Sequence, residues 1–218
     1  MTSWVGVVPF VHRPFMEECR ATMHPSFLPH VLWVDNTVHN IGIMASHNRG
    51  IDRMRDTGAD WLVVMSAAIR FGAPGGVDFI AALEDRPDHH VVEAEGVFGW
   101  HLIAFHRRTL DAAGRWDENF SPYGFDDLDM SLRIQRAFGL YGRLWQKVVI
   151  DVSDVGMGHS VRLCGVRAET DDLIGYFRWK WGRHPGESDV PAYDMPFNDP
   201  AHAVNYWPQA PNGGRWDA

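Results

Sequence analysis

Short apolar runs alternate with amphipathic segments over the first third of the chain. The runs at 4–8, 31–34 and 61–65 are rich in β-branched and aromatic residues and predict buried strands. Between them, the segment at 15–23 carries acidic residues near its start, and the segment at 45–57 places apolar residues three apart, so both predict helices. Strand, helix, strand, helix, strand at these short intervals predicts an α/β fold with a parallel sheet.

The remainder of the chain follows a looser pattern of the same kind. Further strands are predicted at 90–94, 98–106 and 148–152. Further helices are predicted at 77–83, 108–113, 127–138 and 171–181. We assign residues 1–167 to one domain and 168–218 to a C-terminal helix and tail of the same domain. The tail is rich in Pro, Gly, Asn and Asp from residue 182 onward, and we expect it either to wrap the domain or to be partly disordered.

Composition and charge narrow the class of protein. The 218 residues are 45% hydrophobic and 22% charged, as in ordinary globular domains. The formal net charge of −8 argues against a broad binding surface for nucleic acid or anionic membrane, although not against a small basic patch. Cys19 and Cys164 are too distant in sequence for a CxxC motif, and so few cysteines favour the cytoplasm. The longest apolar run is too short to span a bilayer, and the N-terminus is typical of a strand rather than a signal peptide.

Three segments carry a resemblance to one family. The first comprises VPFVHRP at 8–14, VDN at 34–36 and NIGIMASHNRGI at 40–51. The second is ADWLVVMSAAIRF at 59–71, and the third spans 98–140, where GRWDENF precedes FDDLD. In this order, with WKWG at 179–182, they resemble family-2-type glycosyltransferases with the GT-A fold. The resemblance implies a GT-A-like, mixed and mostly parallel sheet flanked by helices, with a nucleotide-binding half at 1–95 and an acceptor half at 96–167.

One departure from the family concerns the metal. The family carries a D-x-D or N-P-D motif after the third core strand, which holds a divalent cation against the donor diphosphate. The aligned residues here are Ser66, Ala67 and Ala68, and an alanine side chain offers no donor atom. We therefore expect the usual Mn²⁺ or Mg²⁺ site to be incomplete. In metal-dependent relatives a later histidine supplies a ligand, which makes His159 a candidate for the metal or for a direct phosphate contact.

The expected donor is a nucleotide sugar, UDP-linked or linked to another nucleoside diphosphate. In this fold ligands bind beyond the carboxyl ends of parallel strands. With the family pattern, this rule gives the candidate donor contacts Pro9, Phe10, Arg13, Asp35, Asn36, Asn48, Ser66, Arg70, His159 and Arg162. The alternative for Asp35 and Asn36 is a simple turn, and for Asn48 a hydrogen bond to loop backbone. Without a cation, the candidates for neutralising the charge of the diphosphate are Arg70, Arg162 and Lys180. The alternative for each of these basic residues is a solvated surface charge.

By the same resemblance, the acidic run that opens the fifth helix supplies the catalytic base. Asp127 is expected to take the proton of the acceptor hydroxyl in an inverting transfer, with Asp126 shaping the site and Asp129 supporting the acceptor side. The alternative is that these carboxylates only cap the helix. Trp100 and Trp116 are expected to line the acceptor site by stacking on a sugar, and their alternative is a place in the core.

These residues together predict a glycosyltransferase that moves a sugar from a nucleotide sugar to a hydroxyl of a glycan, protein or modified-base acceptor. One alternative is a catalytically inactive protein of the same fold that binds a nucleotide sugar or glycan, which the loss of a carboxylate at Ala68 favours. A second alternative is a phage-type glycosyltransferase acting on modified DNA bases, against which the negative net charge argues.

Overall fold

A computed structural model describes residues 3–85, 88–95, 97, 100–121, 124–138, 145–154 and 171–182. Within them, a six-stranded sheet has the order β2-β1-β3-β6-β5-β7. Its strands are β1 (Trp4–Phe10), β2 (Val31–Asp35), β3 (Trp61–Met65), β5 (Val91–Glu95), β6 (Leu102–His106) and β7 (Trp145–Val149). A second, two-stranded antiparallel sheet pairs β4 (Ile69–Phe71) with β8 (Val152–Asp154).

The direction of the strands decides which of their ends lie together. β1 runs parallel to both β2 and β3, and β5 runs parallel to β7, whereas β6 is antiparallel to β3 and β5. Met65, the last residue of β3, lies opposite Leu102, the first residue of β6. The carboxyl ends of β1, β2 and β3 therefore share one edge of the sheet with the start of β6.

Helices cover both faces of this sheet. They are α1 (Arg13–Thr22), α2 (Gly42–Thr57), α3 (Val77–Glu84), α4 (Arg107–Ala113), α5 (Asp126–Phe138) and α6 (Asp171–Trp181). Successive strand residues point to opposite faces, so Val5 and Val7 join a cluster with α2, α4, α5 and α6, whereas Trp4 and Val8 join a cluster with α1 and α3. The predicted fold class, a mixed and mostly parallel sheet flanked by helices, is confirmed.

Local sequence explains two features of the backbone near the site. α2 ends because Gly58 adopts the left-handed conformation at φ 70°, from which its N–H reaches the carbonyls of Met54 and Arg55. Phe125 also has a positive φ, 58°, although it is not a glycine. It precedes α5 directly, its carbonyl accepts the N–H of Asp129 at 2.8 Å, and its ring packs against the core. This contact anchors the first turn of α5.

Two predicted strands differ from the structure. The strand predicted at 148–152 is wrong, because β7 and β8 occupy this region in different sheets. The chain leaves the large sheet after Val149. Two residues later, the Asp151 carbonyl accepts the N–H of Gly72 at 2.8 Å, next to the first residues of the β4–β8 pairing. The strand predicted from residue 98 begins only at Leu102.

Two further observations concern the C-terminal tail and the length of the helices. The tail predicted after residue 182 lies outside the described residues. Among the helices that the structure describes, none combines the length and apolar character that a membrane span requires.

Candidate functional site

The shared edge of β1, β2 and β3 brings several of the predicted donor contacts together. β1 ends at Phe10, β2 at Asp35 and β3 at Met65, and Ser66 follows β3 directly. Pro9 and Phe10 lie opposite Val34 and Asp35 in the β1–β2 pairing. Ligands of open α/β sheets bind beyond such carboxyl ends, so this edge is the candidate donor site.

Asp35 and Arg13 form an exposed ion pair at this edge. Arg13 Nη2 lies 2.8 Å from Asp35 Oδ2, and the side chains are 63% and 39% exposed. Thr37 also donates its hydroxyl and its backbone N–H to Asp35 Oδ1, the latter at 2.9 Å. These hydrogen bonds from Thr37, and secondarily the charge of Arg13, hold the pKa of Asp35 below its usual range. Asp35 is therefore an ionised, accessible hydrogen-bond acceptor.

Asn36, by contrast, is buried and uses its side chain within the protein. Its Nδ2 donates to Ser46 Oγ at 3.1 Å, and its Oδ1 accepts the N–H of Ile41 at 3.3 Å. Its own backbone N–H donates to the Phe10 carbonyl at 2.9 Å. Asn36 thus ties the loop after β2 to β1 and α2, which fixes the position of the neighbouring Asp35.

The Ser66–Ala67–Ala68 segment forms a tight turn between β3 and β4. Ser66 Oγ accepts the N–H of Ala68 at 3.1 Å, and the Ser66 N–H donates to the His101 carbonyl at 2.8 Å. Both alanines are buried. The segment offers a cation no carboxylate, so it does not fit the metal site that the family would place there. Over the described ranges, no group of three or more His, Cys, Asp or Glu side chains could hold a metal ion.

Arg70 is held against this turn rather than pointing into open solvent. Its Nη1 donates to the carbonyls of Ala67 at 3.0 Å and Ile69 at 2.7 Å. Its guanidinium also forms an ion pair with Glu18 and lies 5.7 Å from the centre of the Phe15 ring. To neutralise a diphosphate, Arg70 would have to give up part of its pairing with Glu18.

Asn48 and Trp116 contact each other inside the protein. Asn48 Nδ2 donates to the Trp116 carbonyl at 3.0 Å, and Asn48 Oδ1 accepts the Trp116 N–H at 2.8 Å. These contacts match the alternative for Asn48, a hydrogen bond to loop backbone. The Trp116 ring is fully buried and packs edge-on against His47 and Phe105, so it presents no surface to an acceptor. Trp100 is only half-buried, with its ring 5.2 Å from that of Phe105.

Asp126 and Asp127 occupy the first turn of α5 as neighbouring, half-buried carboxyls. Asp126 Oδ1 accepts the Gly124 N–H at 3.2 Å, and Asp127 Oδ1 accepts the Leu128 N–H at 2.8 Å. Burial, reinforced by the charge of Asp127, raises the pKa of Asp126 to about 7. Burial also raises the pKa of Asp127. Two adjacent carboxyls with raised pKa values titrate as a coupled pair.

Asp129 points the other way, into a buried network of charges. Its carboxylate accepts from Arg133 Nε at 2.9 Å and from Trp181 Nε1 at 2.9 Å, and it lies 2.6 Å from Lys180 Nζ. Lys180 Nζ also lies 2.5 Å from Asp117 Oδ2. Lys180 is therefore neither a surface charge nor exposed to a diphosphate, and Asp129 supports α5 from within. The contacts join residues 63 and 52 positions apart, which no local spacing in the sequence could reveal.

A second pair that the sequence did not single out is His101 with Asp154. His101 precedes β6 and Asp154 ends β8, and His101 Nδ1 contacts Asp154 Oδ2. Both lie beside the 66–68 turn. Their sequence neighbourhoods show no motif, so only the pairing of distant strands reveals the contact. Two predicted residues, His159 and Arg162, lie outside the described residues.

Similar proteins are found by structure and not by sequence. In sequence, the chain matches no protein-family model and no curated protein. Among solved structures, it is similar to the mannosyltransferase PcManGT from Pyrobaculum calidifontis in complex with GDP-Man and Mn²⁺, with a TM-score of 0.47 and 16% identity, covering 75% of this chain and 60% of that chain. This chain therefore spans less than two thirds of the length of that mannosyltransferase.

Two further solved structures are similar to this chain. One is TarS from S. aureus, with a TM-score of 0.48 and 9% identity, covering 83% of this chain and 73% of that chain. The other is a glycosyltransferase involved in the glycosylation of the major capsid of PBCV-1, with a TM-score of 0.36 and 11% identity, covering 68% of this chain and 82% of that chain.

Proposed function

We propose that the protein is a glycosyltransferase that moves a sugar from a nucleotide sugar to an acceptor hydroxyl with inversion at the anomeric carbon. The observation that carries this proposal is the pair of half-buried carboxyls, Asp126 and Asp127, in the first turn of α5. A carboxylate that only caps a helix is stabilised in its ionised form, which lowers its pKa. Here burial outweighs those hydrogen bonds and raises both pKa values.

A raised pKa suits a general base. An ordinary aspartate is a weak base at neutral pH, whereas a carboxyl whose pKa is raised by burial, as that of Asp127 is, accepts a proton more strongly. Asp127 is the proposed base. The charge of Asp127 raises the pKa of Asp126, which shares the same turn, so the two carboxyls titrate as a coupled pair.

The proposed chemical step is a single displacement. The acceptor oxygen forms a bond to the anomeric carbon while its proton passes to the Asp127 carboxylate. The bond between the anomeric carbon and the diphosphate oxygen breaks at the same time, and its electron pair leaves with the diphosphate. The proton therefore ends on Asp127 and the negative charge on the nucleoside diphosphate, so the step balances.

The donor is proposed to lie along the edge formed by β1, β2 and β3. Asp35 is ionised and exposed there, which allows it to accept hydrogen bonds from a ribose hydroxyl or a nucleobase N–H. Arg13 beside it offers a planar guanidinium that suits a phosphate. Pro9, Phe10 and Ser66 contribute the backbone of the strand ends on which the nucleotide would rest. A divalent cation, when bound, would neutralise charge on the diphosphate.

Isothermal titration calorimetry with a panel of nucleotide sugars, with Mn²⁺ and with EDTA, tests this proposal. We expect at least one UDP- or GDP-linked sugar to bind and then to be consumed slowly, by transfer or by hydrolysis. The Asp35→Asn variant should bind that sugar more weakly, whereas Asp56→Asn, an exposed carboxylate on α2, should not differ from wild type. If no nucleotide sugar bound in either condition, the proposal would be overturned.

One second candidate function has an observation in its favour. The turn at Ser66 carries no carboxylate, and Arg70 is paired with Glu18, which is what a nucleotide-sugar-binding protein without catalysis would tolerate. Tight binding of a nucleotide sugar with no consumption over many hours would support this binding function. A binder has no need of a base, however, so the raised pKa values at Asp126 and Asp127 favour the enzyme.

A further inference from the structure

A buried carboxylate lies in the same helical turn as the proposed base. Asp129 follows Asp127 by two residues, and its side chain is 1% exposed. Its backbone N–H donates to the Phe125 carbonyl at 2.8 Å, so Asp129 helps to close the first turn of α5. Contacts that fix the Asp129 carboxylate therefore also fix the turn from which Asp127 projects.

Donors from two helices hold the Asp129 carboxylate. Arg133, one turn later on α5, donates its Nε–H to Asp129 Oδ2 at 2.9 Å. From α6, Trp181 donates its Nε1–H to Asp129 Oδ1 at 2.9 Å, and Lys180 Nζ lies 2.6 Å from the same oxygen. The Lys180 side chain is 0% exposed, so water competes little for these contacts. They specify one position of α6 against the first turn of α5.

The charge of Asp129 also acts on the Asp126–Asp127 pair. After burial and the charge of Asp127, the charge of Asp129 is a further cause that raises the pKa of Asp126. Charges inside a protein are screened much less than charges in water, so Asp129 influences how readily the pair ionises. The other charged side chains that contact Asp129 or its partners are those of Arg133, Lys180 and Asp117.

We propose that Asp129 is a positioning residue for the base Asp127, and that α6 fixes Asp129 in place through Lys180 and Trp181. This inference rests on the proposed function, which assigns Asp127 as the base. Asp129 acts in two ways, through the geometry of the first turn of α5 and through its own charge. A group of charges that only stabilised the fold would change neither the titration of Asp126 nor the turnover of a protein that remains folded.

The effect of charge is tested by the titration of Asp126 in the free protein, with no donor present. The asparagine of Asp129→Asn can still accept the Trp181 N–H but carries no charge. NMR follows the carboxyl carbon signal of Asp126 against pH, and the signal is assigned by its loss in Asp126→Asn. We expect a midpoint at about pH 7 in wild type and a midpoint lower by about 0.5–1 pH unit in Asp129→Asn. The exposed control Asp56→Asn on α2 should keep the wild-type midpoint.

The effect of geometry is tested by Trp181→Phe, which keeps an aromatic ring but removes the N–H that Asp129 accepts. We expect kcat for consumption of the bound nucleotide sugar to fall by about tenfold with donor affinity unchanged, because a small displacement of a catalytic group is costly. Trp61→Phe is the matched control, since Trp61 is also 1% exposed but packs in the cluster on the other face of the sheet. It should keep kcat within about twofold of wild type.

The outcomes separate this inference from the proposed function. The positioning role is overturned, and the glycosyltransferase proposal stands, if the Asp126 midpoint is unchanged in folded Asp129→Asn. A kcat of folded Trp181→Phe no lower than that of Trp61→Phe has the same meaning. Failure of every nucleotide sugar to bind the wild-type protein would overturn both. Circular dichroism identifies a variant that does not fold, and the other variant then decides the matter.

Discussion

Asp126 holds its proton more tightly in the folded protein than in the unfolded chain. Its pKa is raised from 3.8 to about 7, with burial as the main cause and the neighbouring Asp127 charge second. The stability that this group contributes is present below pH 3.8 and is lost as the pH rises toward 7, because ionisation is easier in the unfolded chain. At neutral pH the pair is thus a source of local instability, as is common where carboxyls serve function.

The Asp126→Asn variant tests whether ionisation of Asp126 lowers the free energy of unfolding. Asparagine resembles the protonated carboxyl, so the variant should match wild type at pH 4 and exceed its free energy of unfolding at pH 8 by about 1–3 kcal/mol. Urea unfolding at the two pH values measures the difference. The exposed Asp56→Asn substitution on α2 serves as the control and should show no such pH-dependent gain. A variant less stable than wild type at pH 8 would contradict the buried-pair interpretation.

His47 provides a second prediction at the scale of one side chain. It is buried on α2 against Trp116, and burial lowers its pKa from 6.5 to about 3. In the unfolded chain, His47 is protonated below about pH 6.5, whereas in the folded protein it stays neutral down to about pH 3. Stability should fall across this window as the pH is lowered, by a few kcal/mol at most.

Replacing His47 by leucine removes this titration while keeping an apolar group against Trp116. His47 Nδ1 has no hydrogen-bond partner among the described residues, so the loss of the imidazole breaks no hydrogen bond at that atom. We expect His47→Leu to lose less stability than wild type between pH 6.5 and pH 4, measured by urea unfolding. Equal pH dependence in both proteins would mean that other groups cause the acid sensitivity.

At the scale of elements, α6 is fastened to α5 by charge as well as by apolar contact. Lys180 on α6 lies between Asp117 and Asp129, at 2.5 and 2.6 Å. Tyr176 on the same helix donates its hydroxyl to Asp117 at 2.8 Å, and Trp181 donates to Asp129 at 2.9 Å. The helix that carries Asp126 and Asp127 thus rests on a buried ionic network.

Removing one partner of a buried ion pair leaves an uncompensated charge. Lys180→Met should therefore lower the free energy of unfolding by about 3–5 kcal/mol, measured by urea unfolding at pH 7. Arg178→Met changes an exposed cation two residues earlier on the same helix and should change stability by less than about 0.5 kcal/mol. Similar effects of the two substitutions would contradict the role of Lys180 as the link between α6 and α5.

Helices and strands with a clear hydrophobic pattern are predicted closely by the sequence. Strands that form only because they pair with a strand distant in the sequence are not. The strand at 61–65 and the helix at 171–181 have the predicted bounds, because apolar runs and helical spacing are local properties. The sequence pattern does not predict β4 and β8. Each is only three residues long, and each exists because it pairs with the other more than eighty residues away, which local pattern does not record.

For the molecule as a whole, the rule that ligands bind at carboxyl strand ends is enough to place Asp35 and Ser66 on the same edge from the order of the predicted strands. The sequence does not show which side chains are already committed inside the protein. Asn36 and Asn48 bond within the fold, and Trp116 lies in the core. Nor does it show that Asp154 reaches the turn at Ser66, since that depends on the β4–β8 pairing.

The proposed donor site and the proposed base lie on different elements that pack against the same hydrophobic cluster. The donor edge belongs to β1, β2 and β3, and the proposed base belongs to α5, which packs on the same face of the sheet as α2. A single core under both parts keeps them in a fixed arrangement, which direct displacement requires because the base, the acceptor oxygen and the anomeric carbon must align.

The rate of nucleoside diphosphate release tests the central claim most directly. The nucleotide sugar that binds in calorimetry is incubated with a pool of glycan and protein acceptors, and release is compared among wild type, Asp127→Asn and the exposed control Asp111→Asn. We expect Asp127→Asn to lower kcat by about 10²–10⁴-fold with little change in donor affinity, and Asp111→Asn to match wild type. Unchanged turnover in a folded Asp127→Asn protein would contradict the assignment of Asp127 as the base.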